Sequence, residues 1–336
     1  MERKPLVLIL CGGRSLRLWP LSNYKSKNFL DFFAHQPLKA TIDRFRKITP
    51  LKNIFLVANR NEKSLLYRLK EIDKRNIFLE PQSKNTAAAI LFSLLRLTNH
   101  RERILIISPV DSFIKKEKIF YRDLAKALRV ARRGYICTLG IIPDKFSTGL
   151  GYIKKAGSGK NGIFDVEEFV EKPSLKKGRK LFKAGRILYN SGIFVSYPAV
   201  IEEEYQKYYV SYHFFKKSLA KNKVDLAYRK IEGLSFDRAV VEKSRKIKVV
   251  QANFQWKDFG NWQTIFEIMA KDAQGNVSPS NASLKKCKDS FIYSTNPGKK
   301  ILALGLKDIF YIDTPDYVLL SSRDRLEKLK SFLEKA

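Results

Sequence analysis

LVLILCGGRSLRLWPLSNYKSKNFLD, residues 6–31, opens with an apolar run over residues 6–10. The run is short, rich in branched side chains and closed by Gly12-Gly13. That is the pattern of a strand buried on both faces of a parallel sheet. Paired glycines let the backbone turn sharply and come close to a ligand. Arg14, Arg17, Lys25 and Lys27 follow. A buried first strand, a glycine turn and nearby cations describe a phosphate site at the carboxyl edge of an α/β sheet. The two common phosphate loops do not fit, because CGGRSLRL contains neither GxxxxGK[ST] nor GxGxxG. Gly157-Ser158-Gly159-Lys160 reads instead as a hairpin turn between two strands.

Outward from this stretch, strands are expected at residues 53–58, 77–79, 103–108 and 134–141. Helices are expected between them at 38–47, 62–72, 86–98 and 121–132. Strands alternating with helices imply βαβ units and a mainly parallel sheet. The rhythm changes at residues 149–173, which read as two strands around a Gly-rich turn. A helix at 175–184, a strand at 190–196, an aromatic-rich helical region to about 227, a strand at 246–252 and a helix at 262–269 follow. From about residue 276 the pattern is short strands separated by turns (291–293, 301–303, 309–312, 317–320) and a last amphipathic helix over 323–333. Two domains are expected, a catalytic one over 1–275 and a small β-rich one over 276–336.

The chain of 336 residues is 44% hydrophobic, enough for a large buried core. No apolar run approaches the roughly 20 residues a membrane span needs. The N-terminal apolar stretch is too short for a signal peptide and lacks a cleavage site, so a cytoplasmic protein is expected. Three widely spaced cysteines (Cys11, Cys137, Cys287) fit no disulfide or zinc pattern and read as buried thiols. The net charge of +32 is spread along the chain and reads as a solvated lysine-rich surface. Its rival reading is a basic RNA- or membrane-associated protein, but no nucleic-acid motif appears and no specific nucleic acid is expected.

The opening stretch resembles the signature loop of sugar-1-phosphate nucleotidyltransferases, in the form used by mannose-1-phosphate guanylyltransferases: approximately LAGGSGTRLWPLSR followed by PKQF. Gly12-Gly13, Arg17, Leu18-Trp19-Pro20-Leu21-Ser22, Lys27 and Phe29 match. Arg14, Ser15 and Leu16 stand in place of Ser-Gly-Thr. A non-glycine residue held at positive φ at Ser15 would cost on the order of 1 kcal/mol. Seven further segments resemble the family in the same order. Glu80-Pro81 through Asn85-Thr86-Ala87 resembles EPxxRNTAPAI. Ser108-Pro109-Val110-Asp111 resembles PADHxI, with Ser112 at the histidine. Gly149-Leu150-Gly151-Tyr152 resembles TGYGYI, Glu171-Lys172-Pro173 FVEKP, and Asn190-Ser191-Gly192 YLWNSGIF. Ser235-Phe236-Asp237 resembles the start of SIDYAVMEK, and Trp256-Lys257-Asp258 that of WSDVGSW.

The resemblance implies a Rossmann-like fold: a mixed, mainly parallel sheet flanked by helices, the nucleotide-diphospho-sugar transferase fold, with a small left-handed β-helix-like tail. It implies transfer of GMP from GTP to α-D-mannose 1-phosphate, giving GDP-mannose and pyrophosphate with Mg²⁺. Arg17, Lys27 and Asp111 would be catalytic. Leu10, Gly12, Gly13, Glu80, Asn85 and Thr86 would hold the nucleotide. Gly151, Glu171, Lys172, Asn190 and Asp258 would hold the sugar phosphate, and Asp111 and Asp258 the metal. Read from the residues alone, Asn85 or Thr86 is a helix cap that frees backbone N–H groups, Asp111 an Asx turn, and Asp258 a cap near Trp262. A same-fold enzyme with another sugar or nucleotide, and a weakened homologue that only binds sugar nucleotides, are the alternatives. The β-rich tail could pack between the subunits of a homodimer.

Overall fold

Leu6, Val7, Leu8 and Ile9 expose nothing to solvent, so both faces of the first strand are covered. In the computed structural model, which describes residues 3–12, 16–23, 36–279 and 281–334, this strand is β1 (Leu6–Leu10). Contacts divide the chain into two units: Met1–Gly12 with Thr41–Trp256, and Gly13–Ala40 with Lys257–Ala336.

The first unit is built around a sheet of nine strands. In chain order these are β1, β2 (Ile54–Asn59), β3 (Ile77–Glu80), β4 (Leu105–Pro109), β6 (Ile136–Ile141), β7 (Tyr152–Lys160), β8 (Ile163–Val170), β9 (Ile187–Ser196) and β10 (Ile247–Ala252). The short strand β5 (Ser112–Lys115) follows β4. The spatial order is β3-β2-β1-β4-β9-β6-β10-β8-β7. β1 pairs in parallel with β2 and β4, β2 with β3, and β6 with β10. β9 runs antiparallel between β4 and β6, and β8 antiparallel to β10. The sheet is therefore mixed, with most strands sharing one direction. The carboxyl ends of β1, β3 and β4 lie on one edge, where ligands bind in such folds.

Helices supply the covering layers: α1 (Pro37–Arg46), α2 (Lys63–Leu66), α3 (Asn85–Leu94), α4 (Glu117–Ala131), α5 (Leu175–Ala184), α6 (Pro198–Tyr208), α7 (Tyr212–Ala220) and α8 (Val224–Lys230). One core cluster joins Leu6 and Leu8 of β1 to the apolar face of α3 and to Ile201, Tyr205, Phe215, Ala227 and Tyr228 of α6–α8.

Two local expectations change. A continuous helix over 62–72 does not form. After α2, Arg68, Leu69 and Ile72 donate to carbonyls three residues back, so tight turns bring Leu66 and Ile72 inward. The hairpin between β7 and β8 turns at Asn161-Gly162, not at residues 157–160. Both residues have positive φ, 57° and 77°, as a two-residue turn that matches strand twist requires.

In the second unit α9 (Trp262–Ile268) follows β11 (Gln255–Asp258). Trp262 and Phe266 pack on Phe291, and Phe266 also on Phe310. Trp262 Nε1 donates to the Trp19 carbonyl at 2.8 Å, so Trp262 is a core anchor. β12 (Ala282–Lys285) pairs in parallel with β14 (Ile301–Leu304), and β13 (Phe291–Ser294) with β15 (Ile309–Asp313). In both pairs each residue meets one nineteen positions later. The left-handed corners repeat at the same offset: Lys286 with Gly305, and Asp289 with Asp308. β16 (Val318–Ser322) closes the sheet antiparallel to β15. The expected terminal helix is a 3-10 turn, Arg323–Lys328, followed by a short α10 (Leu329–Leu333).

Candidate active site

β1 ends at the half-buried Leu10, whose carbonyl accepts from Val110 N at 3.3 Å. Gly12 is exposed, and a Cβ built on it would meet only Glu80 Oε2, at 3.9 Å. The described protein atoms thus leave the space over Gly12 open. Gly13, Ser15 and Lys27 lie outside the described residues.

Glu80, the last residue of β3, is 3% exposed. Its Oε1 accepts from the Tyr228 hydroxyl at 2.9 Å. Burial pushes its carboxyl up to about 7, against the pull of the Tyr228 hydrogen bond and with the help of the Glu62 charge. Beyond Glu80 the chain reaches Asn85 in a left-handed conformation (φ 65°), a strained state for a non-glycine residue. Asn85 Oδ1 accepts from Thr86 N at 2.8 Å. Thr86 Oγ1 accepts from Phe236 N at 2.8 Å, and Ala87 N donates to the Leu234 carbonyl at 3.1 Å. The start of α3 therefore spends the N–H groups of Thr86 and Ala87 on the protein. It does not free them for a ligand, and the side chains of Asn85 and Thr86 present the polar surface instead.

A second cluster gathers Gly151, Glu171, Lys172 and Asn190. Asn190 N donates to the Gly151 carbonyl at 2.8 Å. A Cβ on Gly151 would lie 2.8 Å from Glu171 Oε2, so glycine leaves room for that carboxylate. Lys172 Nζ pairs with Glu171 Oε1 at 2.7 Å. Asn190 Nδ2 donates to Asp237 Oδ1 at 2.8 Å, while its Oδ1 lies 3.0 Å from Thr138 Oγ1. Glu242 Oε1 accepts from Glu171 N at 2.7 Å. Burial first, and then the Glu171 charge, raise the Asp237 carboxyl. The cluster offers several acceptors for hydroxyls and one ammonium for a phosphate.

Asp111 follows β4 on a loop fixed from behind. Thr41 Oγ1 donates to the Val110 carbonyl at 3.0 Å, and Arg44 Nη2 to the Ser112 carbonyl at 3.2 Å. Trp256 Nε1 donates to Ser112 Oγ at 3.3 Å, so Ser112 has a structural partner where the family's histidine stands. Arg44 is 4% exposed, and burial lowers its pKa.

The remaining predicted residues belong to the second unit. Arg17 is exposed on the 3-10 turn Leu16–Leu18. Asp258 ends β11, and a Cβ on Gly260 would crowd its Oδ2 at 2.9 Å. The helix cap at Trp262 is Asn261, which accepts from Thr264 N at 2.8 Å, so Asp258 is not that cap. Among the described residues no group of three or more His, Cys, Asp or Glu side chains could hold a metal ion. No described helix is long and apolar enough to cross a membrane.

The family model described as nucleotidyl transferase matches residues 6–275, the span that carries every segment above. The chain belongs to the nucleotidyl transferase family. It is an enzyme of that class. It is 30% identical to mannose-1-phosphate guanylyltransferase RfbM of Salmonella typhimurium, over 98% of this chain and 72% of that protein. It is 31% identical to the xanthan biosynthesis protein XanB of Xanthomonas campestris, over 97% of this chain and 72% of that protein. A crystal structure described as mannose-1-phosphate geranyltransferase from Thermus thermophilus superposes with a TM-score of 0.88 at 26% identity, covering 99% of both chains.

Three residues of this nucleotidyl transferase's candidate site carry no clear sequence signal. Tyr228 sits mid-helix in an aromatic-rich region and reads as core. Thr41 and Arg44 lie outside every quoted segment. Asp237 was within reach, since Ser235-Phe236-Asp237 is a quoted motif, but only the fold shows its contact with Asn190.

Proposed function

We propose that this nucleotidyltransferase transfers GMP from GTP to α-D-mannose 1-phosphate, giving GDP-mannose and pyrophosphate. The near full-length similarity to a mannose-1-phosphate guanylyltransferase carries this reading. A phosphate oxygen of the sugar attacks the α-phosphorus in line. A new P–O bond forms there as the bond to the β-phosphate oxygen breaks. The nucleophile is already ionised near neutral pH, so the site needs positioning and charge stabilisation and no general base. Arg17 and Lys27 stabilise the triphosphate and the leaving pyrophosphate. Glu80, Asn85 and Thr86, with Leu10, Gly12 and Gly13, hold the nucleotide. Glu171 and Asn190 take the sugar hydroxyls, and Lys172 its phosphate.

Asp111 and Asp258 supply carboxylate oxygens, the donor type Mg²⁺ prefers, and Gly260 keeps the Asp258 carboxylate uncrowded. When bound, Mg²⁺ would offset phosphate charge. We assign catalysis to residues 1–275 and read 276–336 as a β-helix-like coil, supported by its parallel pairs nineteen residues apart. A cytoplasmic location and a homodimer fit the same reading. The test is chromatography of the product formed from GTP and mannose 1-phosphate. A GDP-mannose peak is expected, and GTP left intact with mannose 1-phosphate but consumed with another sugar 1-phosphate would correct the substrate.

A further inference from the structure

Glu80 is a buried carboxylate with one of its two oxygens hydrogen-bonded. Tyr228 donates to Oε1 at 2.9 Å, and among the described residues no hydrogen bond reaches Oε2. Tyr228 is itself fully buried. Burial also holds its hydroxyl protonated, far above the usual tyrosine range, so it acts as a donor. Among the described atoms, Oε2 is the one nearest to Gly12 at the end of β1, 3.9 Å from where a Cβ there would lie.

We propose that Tyr228 is a positioning residue for nucleobase selection: its phenol fixes Glu80 so that the carboxylate faces a base with two adjacent N–H donors. Guanine offers that pair, N1–H beside the N2 amine. Adenine and cytosine place a ring acceptor next to their amine, and uracil and thymine flank one N–H with two carbonyls. In each of these an acceptor would oppose a carboxylate oxygen. The inference rests on reading Glu80 as a base contact.

The experiment is calorimetric titration of the full chain with GTP and with ITP, which keeps N1–H and lacks the amine. The wild type should bind GTP tighter by on the order of tenfold, the worth of one hydrogen bond to a charged acceptor. Glu80→Gln should bring the two within about twofold, and Tyr228→Phe should cut the preference at least threefold. A role confined to folding would lower the melting temperature of Tyr228→Phe and leave the GTP-to-ITP ratio alone. An unchanged ratio in Glu80→Gln overturns the base-contact reading. A changed ratio in Glu80→Gln with an unchanged one in Tyr228→Phe overturns the role of Tyr228 alone. Glu80→Asp withdraws the carboxylate from the phenol by one methylene and gives a second route should Tyr228→Phe not fold. Its ratio should fall likewise, and a wild-type ratio there overturns the proposal.

Discussion

Glu80 shows how one residue ties stability to binding. Its carboxyl rises from about 4.5 in the unfolded chain to about 7 in the folded one. A proton therefore favours folding. That contribution is complete below about 4.5 and is lost as the pH rises through about 7. Glu80→Gln removes the charge and keeps an acceptor for Tyr228. It should raise stability at pH 8 by roughly 2–3 kcal/mol and change it little at pH 5. Thermal melts at both values check this, and an equal or lower melting temperature at pH 8 would contradict it. Arg17 poses the converse case, an exposed cation. Arg17→Ala should lose about 10²-fold or more in kcat with a smaller change in KM for GTP. Near-normal turnover would remove Arg17 from the mechanism.

At the scale of elements, the cluster of Gly151, Glu171 and Asn190 depends on three strands meeting. Gly151 immediately precedes β7, Glu171 follows β8, and Asn190 lies within β9, which also pairs with β7. Gly151→Ala should push the Glu171 carboxylate aside, because that flexible end is the nearest atom to the new Cβ. We expect KM for mannose 1-phosphate to rise about tenfold, with KM for GTP and the melting temperature nearly unchanged. Equal loss for both substrates would mean that Glu171 does not face the sugar. Strands and helices with strong periodicity were legible: residues 6–10 and 175–184 form the elements expected of them. The hairpin turn was legible only to within a few residues, because the glycine-rich residues 157–159 directly precede Asn161-Gly162, the stronger turn signal. The nineteen-residue offset of the tail's parallel pairs was not legible, because it is marked by left-handed corners at residues of different type, Lys286 and Gly305, and not by repeated side chains. Tyr228 was hidden for a related reason. A buried tyrosine in an aromatic helix looks like packing until the fold brings a carboxylate to its hydroxyl.

For the whole molecule, the predicted site residues divide between two units, with Arg17 and Asp258 in one and the Glu80 and Glu171 clusters in the other. Family membership rests on residues 6–275, and the likeness to curated relatives extends over nearly all of this chain and about 72% of theirs. The net charge of +32 suits an enzyme whose substrates are all anions, since a positive field raises their local concentration. Steeply salt-dependent binding to RNA would instead favour a nucleic-acid partner. The central claim is the reaction itself. The measurement that tests it is pyrophosphate release with Mg²⁺ and mannose 1-phosphate across GTP, ATP, UTP, CTP and dTTP. Release with GTP far above the other four is the predicted result. Release with none of the five, repeated with glucose 1-phosphate, would contradict it and leave a protein that keeps the fold of a nucleotidyltransferase without its turnover.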